Sequence, residues 1–173
     1  MKGTGKSMIQ RIYSILVDNT SGALNRIAGL FSRRGYNIDS LTVGVTADPK
    51  YSRMTIVTTS DDELELDQIG RQLAKLVDVR DIKVLKSGQS VNRELILVKV
   101  KTDKEQRRDL IELANIFRAK IVDVGTNSTI VELTGTENKL NAFLRLLDDY
   151  EILELARTGI TGLSRGMDDV RYL

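Results

Sequence analysis

Between an apolar run and an amphipathic run the chain reads VDNTSGALNRI, Val17 to Ile27, and this stretch carries the most chemistry. Gly22 stands where a periodic apolar segment begins. The start of a helix leaves backbone N–H groups without intrahelical partners, with the positive end of the helix dipole behind them, and such an end accepts a carboxylate or a phosphate. Glycine in a helix costs roughly 0.5–1 kcal/mol relative to alanine, which is easier to understand where a ligand approaches the backbone closely. Asn19, three residues earlier, offers both an amide and a carbonyl, a pairing suited to the charged groups of an amino acid. The plainer alternative is that Ser21 or Thr20 caps the helix and nothing is bound. Residue types alone leave both open.

Other chemistries are limited by what is missing. The sequence has no histidine and no cysteine, which excludes the usual Cys/His zinc site, a Ser-His-Asp triad, a thiol nucleophile and a disulfide framework. Carboxylate or lysine chemistry stays open, so a non-enzymatic protein is favoured without an enzyme being excluded. GTGKS, Gly3 to Ser7, imitates the end of a phosphate-binding loop. That motif needs a glycine five residues before Gly5 and a strand before that; neither is there, and residues 1–7 read as a flexible leader. A net charge of +2 gives no concentrated basic face, so no nucleic-acid partner is expected. No segment approaches ~18 consecutive apolar residues and no signal-peptide core is visible, so the expectation is a soluble, cytoplasmic protein away from membranes.

The elements that position Gly22 follow from periodicity. MIQRIYSILV reads as a strand. Leu24, Ile27, Ala28 and Phe31 fall at i, i+3, i+4 and i+7, predicting a helix from about Gly22 to Arg34 with Gly35 at its left-handed end. NIDSLTVGV, with Leu41, Val43 and Val45 on one face, and SRMTIVTTS are two further strands around the sole proline, Pro49. Asp61 or Asp62 caps a helix carrying Leu66, Ile69, Leu73 and Leu76, and VRDIKVLK completes the order β-α-β-β-α-β. The pattern then restarts after KSGQSVNR, whose composition suits a linker. ELILVKV is a strand, Thr102 and Glu105 fit a capping box, and Leu110, Leu113, Ala114 and Phe117 repeat the first helix. KIVDV and STIVEL flank a GTNS hairpin, and a helix with Leu140, Phe143, Leu144 and Leu147 leads to EILELARTG.

Two consecutive ferredoxin-like units of α+β class are therefore expected, each with two helices on one face of a sheet ordered 4-1-3-2. The boundaries read as leader 1–7, first domain 8–86, linker 87–92, second domain 93–159 and tail 160–173. The second strand lies at a sheet edge, where Leu41, Val43 and Val45 invite aggregation unless covered. Pairing with its copy in a second subunit resolves this by symmetry.

DNTSGALNRIAGLFSRRGYNIDSLTV, with SRMTIVT and QLAKLVDV after it, resembles the N-terminal ACT domain of the regulatory (small) subunits of acetolactate synthase, or acetohydroxyacid synthase. VNRELILVKV, IFRAKIVDV and TGLSRG resemble the second domain and tail of those subunits, so the likeness runs from about Met8 to Gly166. The resemblance implies a non-catalytic subunit that binds a separate catalytic subunit, raises its activity and confers feedback inhibition by valine. It also implies a homodimer, with valine between subunits as the allosteric ligand. Contacts carried over fall on Asn19, Gly22, Ala23, Leu24, Asn37 and Ile38, with Gly44 near the ligand. Thiamine diphosphate, magnesium and flavin would belong to the catalytic subunit and none to this chain. The leader departs from the family pattern without touching a site residue.

Two other activities share this element order. An RNA-recognition module stacks bases on aromatics of its central strands, where only Tyr13 is available. An acylphosphatase-like enzyme needs an arginine in the first loop; DNTSG has none, and Arg33 and Arg34 suit a solvated helix end. A stand-alone amino-acid sensor of the ACT type differs only in its partner. The tail TGITGLSRGMDDVRYL shows no periodicity and reads as a glycine-rich loop or a partner contact.

Overall fold

The computed structural model describes residues 7–167. The leader before Ser7, with most of GTGKS, and tail residues 168–173 lie outside the described residues. Two compact units are present: one comprises the described residues up to Val91 together with those from Ile160 on, the other Asn92–Gly159.

In the first unit, β1 (Ile9–Asp18), α1 (Ala23–Arg34), β2 (Ser40–Val45), β3 (Tyr51–Ser60), α2 (Glu63–Leu73) and β4 (Val79–Val84) follow the expected order. The sheet runs β2-β3-β1-β4, antiparallel throughout. Register places Tyr13 opposite Ile56 and Ile15 opposite Met54, and because side chains alternate along a strand these share one face with Val17. That face is buried with Ile27, Leu30 and Phe31 of α1 and Leu66, Ile69 and Leu73 of α2. Tyr13, only 1% exposed, is part of this core, so its ring offers no face on which a base could stack. Gly70 lets α2 come close: a Cβ there would sit 3.2 Å from the Tyr13 ring.

The α1 stripe is rotated from the expected one. Ala23, Ile27, Leu30 and Phe31 are buried, whereas Leu24 is 44% exposed. Alanine permits the close approach to the sheet at the helix start, and Leu24, ~100° further round, turns to the flank. Gly35 adopts φ 71 as expected, with the Tyr36 N–H donating to Phe31 O at 3.0 Å. Asp62 caps α2 by accepting from the Leu64 N–H.

The second unit repeats the scheme with β5 (Ser90–Lys101), α3 (Lys104–Phe117), β6 (Lys120–Val124), β7 (Ser128–Gly135), α4 (Glu137–Arg145) and β8 (Ile152–Arg157), ordered β6-β7-β5-β8. Its core joins Ile96, Val98, Val100, Val131 and Leu133 to Leu110, Ala114, Leu140 and Phe143. The capping box falls one residue later than expected. Asp103, not Thr102, caps α3, and Gln106, not Glu105, reaches back to it. Thr102 is buried and its hydroxyl is shared with Thr129 at 2.9 Å, which removes it from capping.

Two segments differ from their sequence reading. KSGQSVNR is a turn followed by the start of β5 rather than a linker: Gln89 N–H donates to Lys86 O, Gly88 takes φ 77, and Ser90 begins the strand. The tail carries a short strand, β9 (Thr161–Ser164), and within the first unit Arg165 N–H donates to Gln89 O at 2.8 Å. Within the first unit, the Thr42 hydroxyl of β2 donates to Ile160 O at 3.3 Å. Four residues with little apolar pattern are too few for a period-2 signal.

Candidate amino-acid site at the start of the first helix

Gly22 is the N-cap of α1, with φ 90 and ψ −10, and no side chain caps the helix. The alternative of a Ser21 or Thr20 cap is therefore not realised. The first turn contains no acidic residue, so the positive end of the dipole lacks the carboxylate that most helix starts recruit. Thr20 N–H donates to Asp18 O and Ala23 N–H to Thr20 O at 3.3 Å, which commits Ala23, one of the three expected donors, within the turn. Gly22 and Leu24 keep the expected position at the helix opening, and Leu24 adds an exposed apolar surface beside it.

The two asparagines are oriented alike in chemistry. Asn19 donates its amide to Pro49 O at 2.9 Å, and its backbone N–H to Lys50 O at 2.8 Å. Asn37 donates its amide to Asp39 Oδ1 at 2.8 Å, while its backbone carbonyl accepts from the Thr58 hydroxyl. With the amide donors engaged inside the chain, the side-chain carbonyls remain as acceptors, the polarity an ammonium group needs. Ile38 is half-buried against the core. Nothing lies within 4 Å of a Cβ placed on Gly44, so contacts inside the chain do not require glycine there.

These residues form two groups, not one site. Asn19, Gly22, Ala23 and Leu24 lie before or within the first turn of α1, whereas Asn37 and Ile38 follow its last turn. A 12-residue helix separates the two groups by ~18 Å. A single chain thus does not bring the six expected ligand residues together.

Sequence reasoning missed a pair of charges beside Gly22. Arg26, one turn into α1, directs Nη1 to within 3.0 Å of where a Gly22 Cβ would stand. Its Nε and Nη2 donate to Asp78 at 2.5 and 2.7 Å. Asp78 is 5% exposed, and the hydrogen bond from Arg26 holds its carboxyl below the usual carboxylate range. Asp18 is paired in the same way with Arg80, which also lowers its pKa, and the Asp18 N–H donates to Asp78 O. The only sequence signal for Arg26 is its spacing of four from the glycine, which puts it over the helix start.

The chain is 50% identical over 159 residues to the acetolactate synthase isozyme 3 small subunit of Salmonella typhimurium (strain LT2), covering 91% of this chain and 97% of that one. It belongs to the acetolactate synthase small subunit family. The acetolactate synthase small subunit of Mycolicibacterium smegmatis is 49% identical over 153 residues, covering 88% of this chain and 89% of the relative. A crystal structure of the acetolactate synthase small subunit from Thermotoga maritima superposes with a TM-score of 0.83 at 38% identity, covering 92% and 99% of the two chains. Two family profiles match the sequence: the AHAS small subunit-like ACT domain over residues 13–81, and the small subunit of acetolactate synthase over 93–166. The resemblance read from DNTSGALNRI and TGLSRG is borne out, and the first unit is an ACT domain. Among the described residues no helix is long and apolar enough to cross a membrane.

Proposed function

We propose that this chain is a regulatory subunit that binds valine at an interface between two ACT domains and makes a separate catalytic subunit responsive to it. The observation that carries this reading is the uncapped start of α1 at Gly22, in a chain whose other expected ligand residues lie at the far end of the same helix. A second copy, related by a two-fold axis, supplies Asn37 and Ile38 to the Gly22 of the first. The exposed edge of β2, with Val43 47% and Val45 61% exposed, is the surface through which the copies join, as an unpaired apolar edge requires.

In the shared site, N–H groups at the start of α1 receive the carboxylate and the asparagine carbonyls receive the ammonium. Leu24 and Ile38 line the apolar side chain. A ligand spanning two subunits alters a partner only by binding its two states unequally, and a coupling of about 1–3 kcal/mol is typical. The decarboxylation and carbon–carbon bond formation belong to the catalytic subunit, which carries thiamine diphosphate, magnesium and flavin. This chain activates that subunit and reports on valine.

The test is titration of the purified chain with valine, leucine and isoleucine by calorimetry, followed by acetolactate assays of the mixture with its catalytic subunit. Valine should bind, and the mixture should be more active than the catalytic subunit alone until valine is added. Binding without any effect on an associated catalytic subunit would make the chain a stand-alone sensor. Absence of binding by all three amino acids would remove the ligand site.

A further inference from the structure

Beside the open helix start lies a guanidinium whose donors divide between two directions. Asp78, buried in the α2–β4 connection, with its carbonyl bonded by the Asp18 N–H at the end of β1, takes Nε and Nη2 of Arg26 in a fork. Fork pairing fixes the plane of the guanidinium as well as its position. Nη1 is thereby aimed at Gly22, and it stands 3.0 Å from the Cβ position that glycine leaves empty. The backbone bond from Arg26 N–H to Gly22 O at 2.9 Å ties the same two residues. The second unit shows that this geometry is not a general habit of the fold. Arg107, also four residues after an N-cap, sends Nη2 to Gly125 O and Thr126 O instead, and the helix end below it is sealed by the Asp103 carboxylate. In the first unit the arginine's carboxylate partner, Asp78, takes Nε and Nη2 and leaves Nη1 facing the helix start, where no acidic residue stands in the first turn.

We infer that Arg26, oriented by Asp78, is a specificity-determining residue of the amino-acid site, supplying a cationic N–H donor, Nη1, that makes the site favour a free α-carboxylate. The inference rests on the proposed site at Gly22 and adds to it the chemical feature by which ligands are selected. Backbone N–H groups alone accept a carboxylate and a carboxamide oxygen with similar geometry, whereas a guanidinium nitrogen discriminates by charge. Valine is therefore held and valinamide, which keeps the ammonium and the side chain, is rejected.

Removing Arg26 alone would strand the buried Asp78 carboxylate, so the informative variant is R26Q/D78N, which replaces both charges by amides of similar shape. Thermal unfolding with increasing valine or valinamide, carried to tens of millimolar, reads both ligands on one scale through the stabilisation that binding confers. In the parent chain valine should be preferred over valinamide by well over about tenfold. In R26Q/D78N valine should weaken to near the amide, and R26K, which keeps the charge, should retain a preference for valine. A double variant that is folded and keeps the parent's preference overturns the assignment. So does an R26K that has lost the preference as fully as the double variant, because fork geometry rather than charge would then be what matters. If the parent chain binds no branched-chain amino acid, it is the site at Gly22 that fails, a distinct result from either.

Discussion

Asp103 stands at the N-cap of α3 where Gly22 stands at the N-cap of α1. Each is followed four residues later by an arginine. The duplicated fold has therefore produced one helix start closed by its own carboxylate, with φ −82, and one left open with φ 90. The closed end satisfies with its own side chain what the open end leaves without a side-chain cap.

Gly22→Asp gives the first unit what the second already has. A new N-cap carboxylate contributes only a few tenths of a kcal/mol over glycine, against about 1–2 kcal/mol for a left-handed backbone at a non-glycine residue, so the folded chain should survive with a loss of about 1–2 kcal/mol. The new Cβ meets Arg26 Nη1 at 3.0 Å, and the added carboxylate draws that guanidinium while occupying the ligand's place. Chemical denaturation should show a cooperative transition, and calorimetry should show valine binding lost. Full affinity in the folded variant would exclude the site.

Asp103→Ala removes a cap and nothing else. A loss of about 0.5–2 kcal/mol is expected for such a change, visible as earlier unfolding of the second unit. Valine binding should be unaffected, at one ligand per chain. A second equivalent bound by the parent chain would show that the closed helix end also takes ligand.

Asn37→Ala leaves the Asp39–Thr59 hydrogen bond in place but removes the acceptor proposed for the ammonium. Valine affinity should fall by an amount equivalent to about 1–3 kcal/mol, the cost of leaving a desolvated polar group unpaired. Unchanged affinity by calorimetry would show that the partner's contribution comes from elsewhere.

Val43→Asp places a charge on the β2 edge, opposite Met54 of β3 and half open to solvent in the single chain. Assembly and valine binding should fail together if, as proposed, the ligand is shared between two copies. Sedimentation of a folded monomer that binds valine with parental affinity would disprove the shared site.

Tyr13 provides a pH signature. Burial pushes its hydroxyl up to about 12, and that hydroxyl donates to Leu66 O. The folded chain thus holds this proton more tightly than the unfolded chain, whose tyrosine titrates near ~10. The corresponding stability is complete below pH ~10 and is lost as pH rises towards ~12. Denaturation midpoints measured across this range should fall more steeply for the parent chain than for Tyr13→Phe. Equal slopes would mean that Tyr13 is not confined as described.

The architecture was legible because strand alternation and helical periodicity recur in the same order twice, and apolar positions such as Ile15, Ile56, Leu66 and Phe143 ended in the cores. Details governed by a single residue's neighbours were less so. Leu24 and Ala23 are equally compatible with an apolar stripe, and only the closeness of helix to sheet selects alanine. Thr102 has the right type for a cap but spends its hydroxyl on Thr129, 27 residues away. Glycine and asparagine around the first helix were visible as candidate ligand residues, whereas Arg26 depends on Asp78, 52 positions distant, for its aim. No local pattern encodes that pairing.

The return of β9 to the first unit also affects how the protein is made. The first unit begins with β1 yet includes the residues from Ile160 on, so the whole of Asn92–Gly159 must leave the ribosome before Arg165 can bond Gln89. At roughly 5–20 residues per second, this interval lasts several seconds. During it the ACT sheet exists without the segment whose Ile160 carbonyl accepts from Thr42 on the edge strand. Of the two units, the one that emerges first is thus completed only after the other, and its β2 edge stays unfinished until Ile160 has been made.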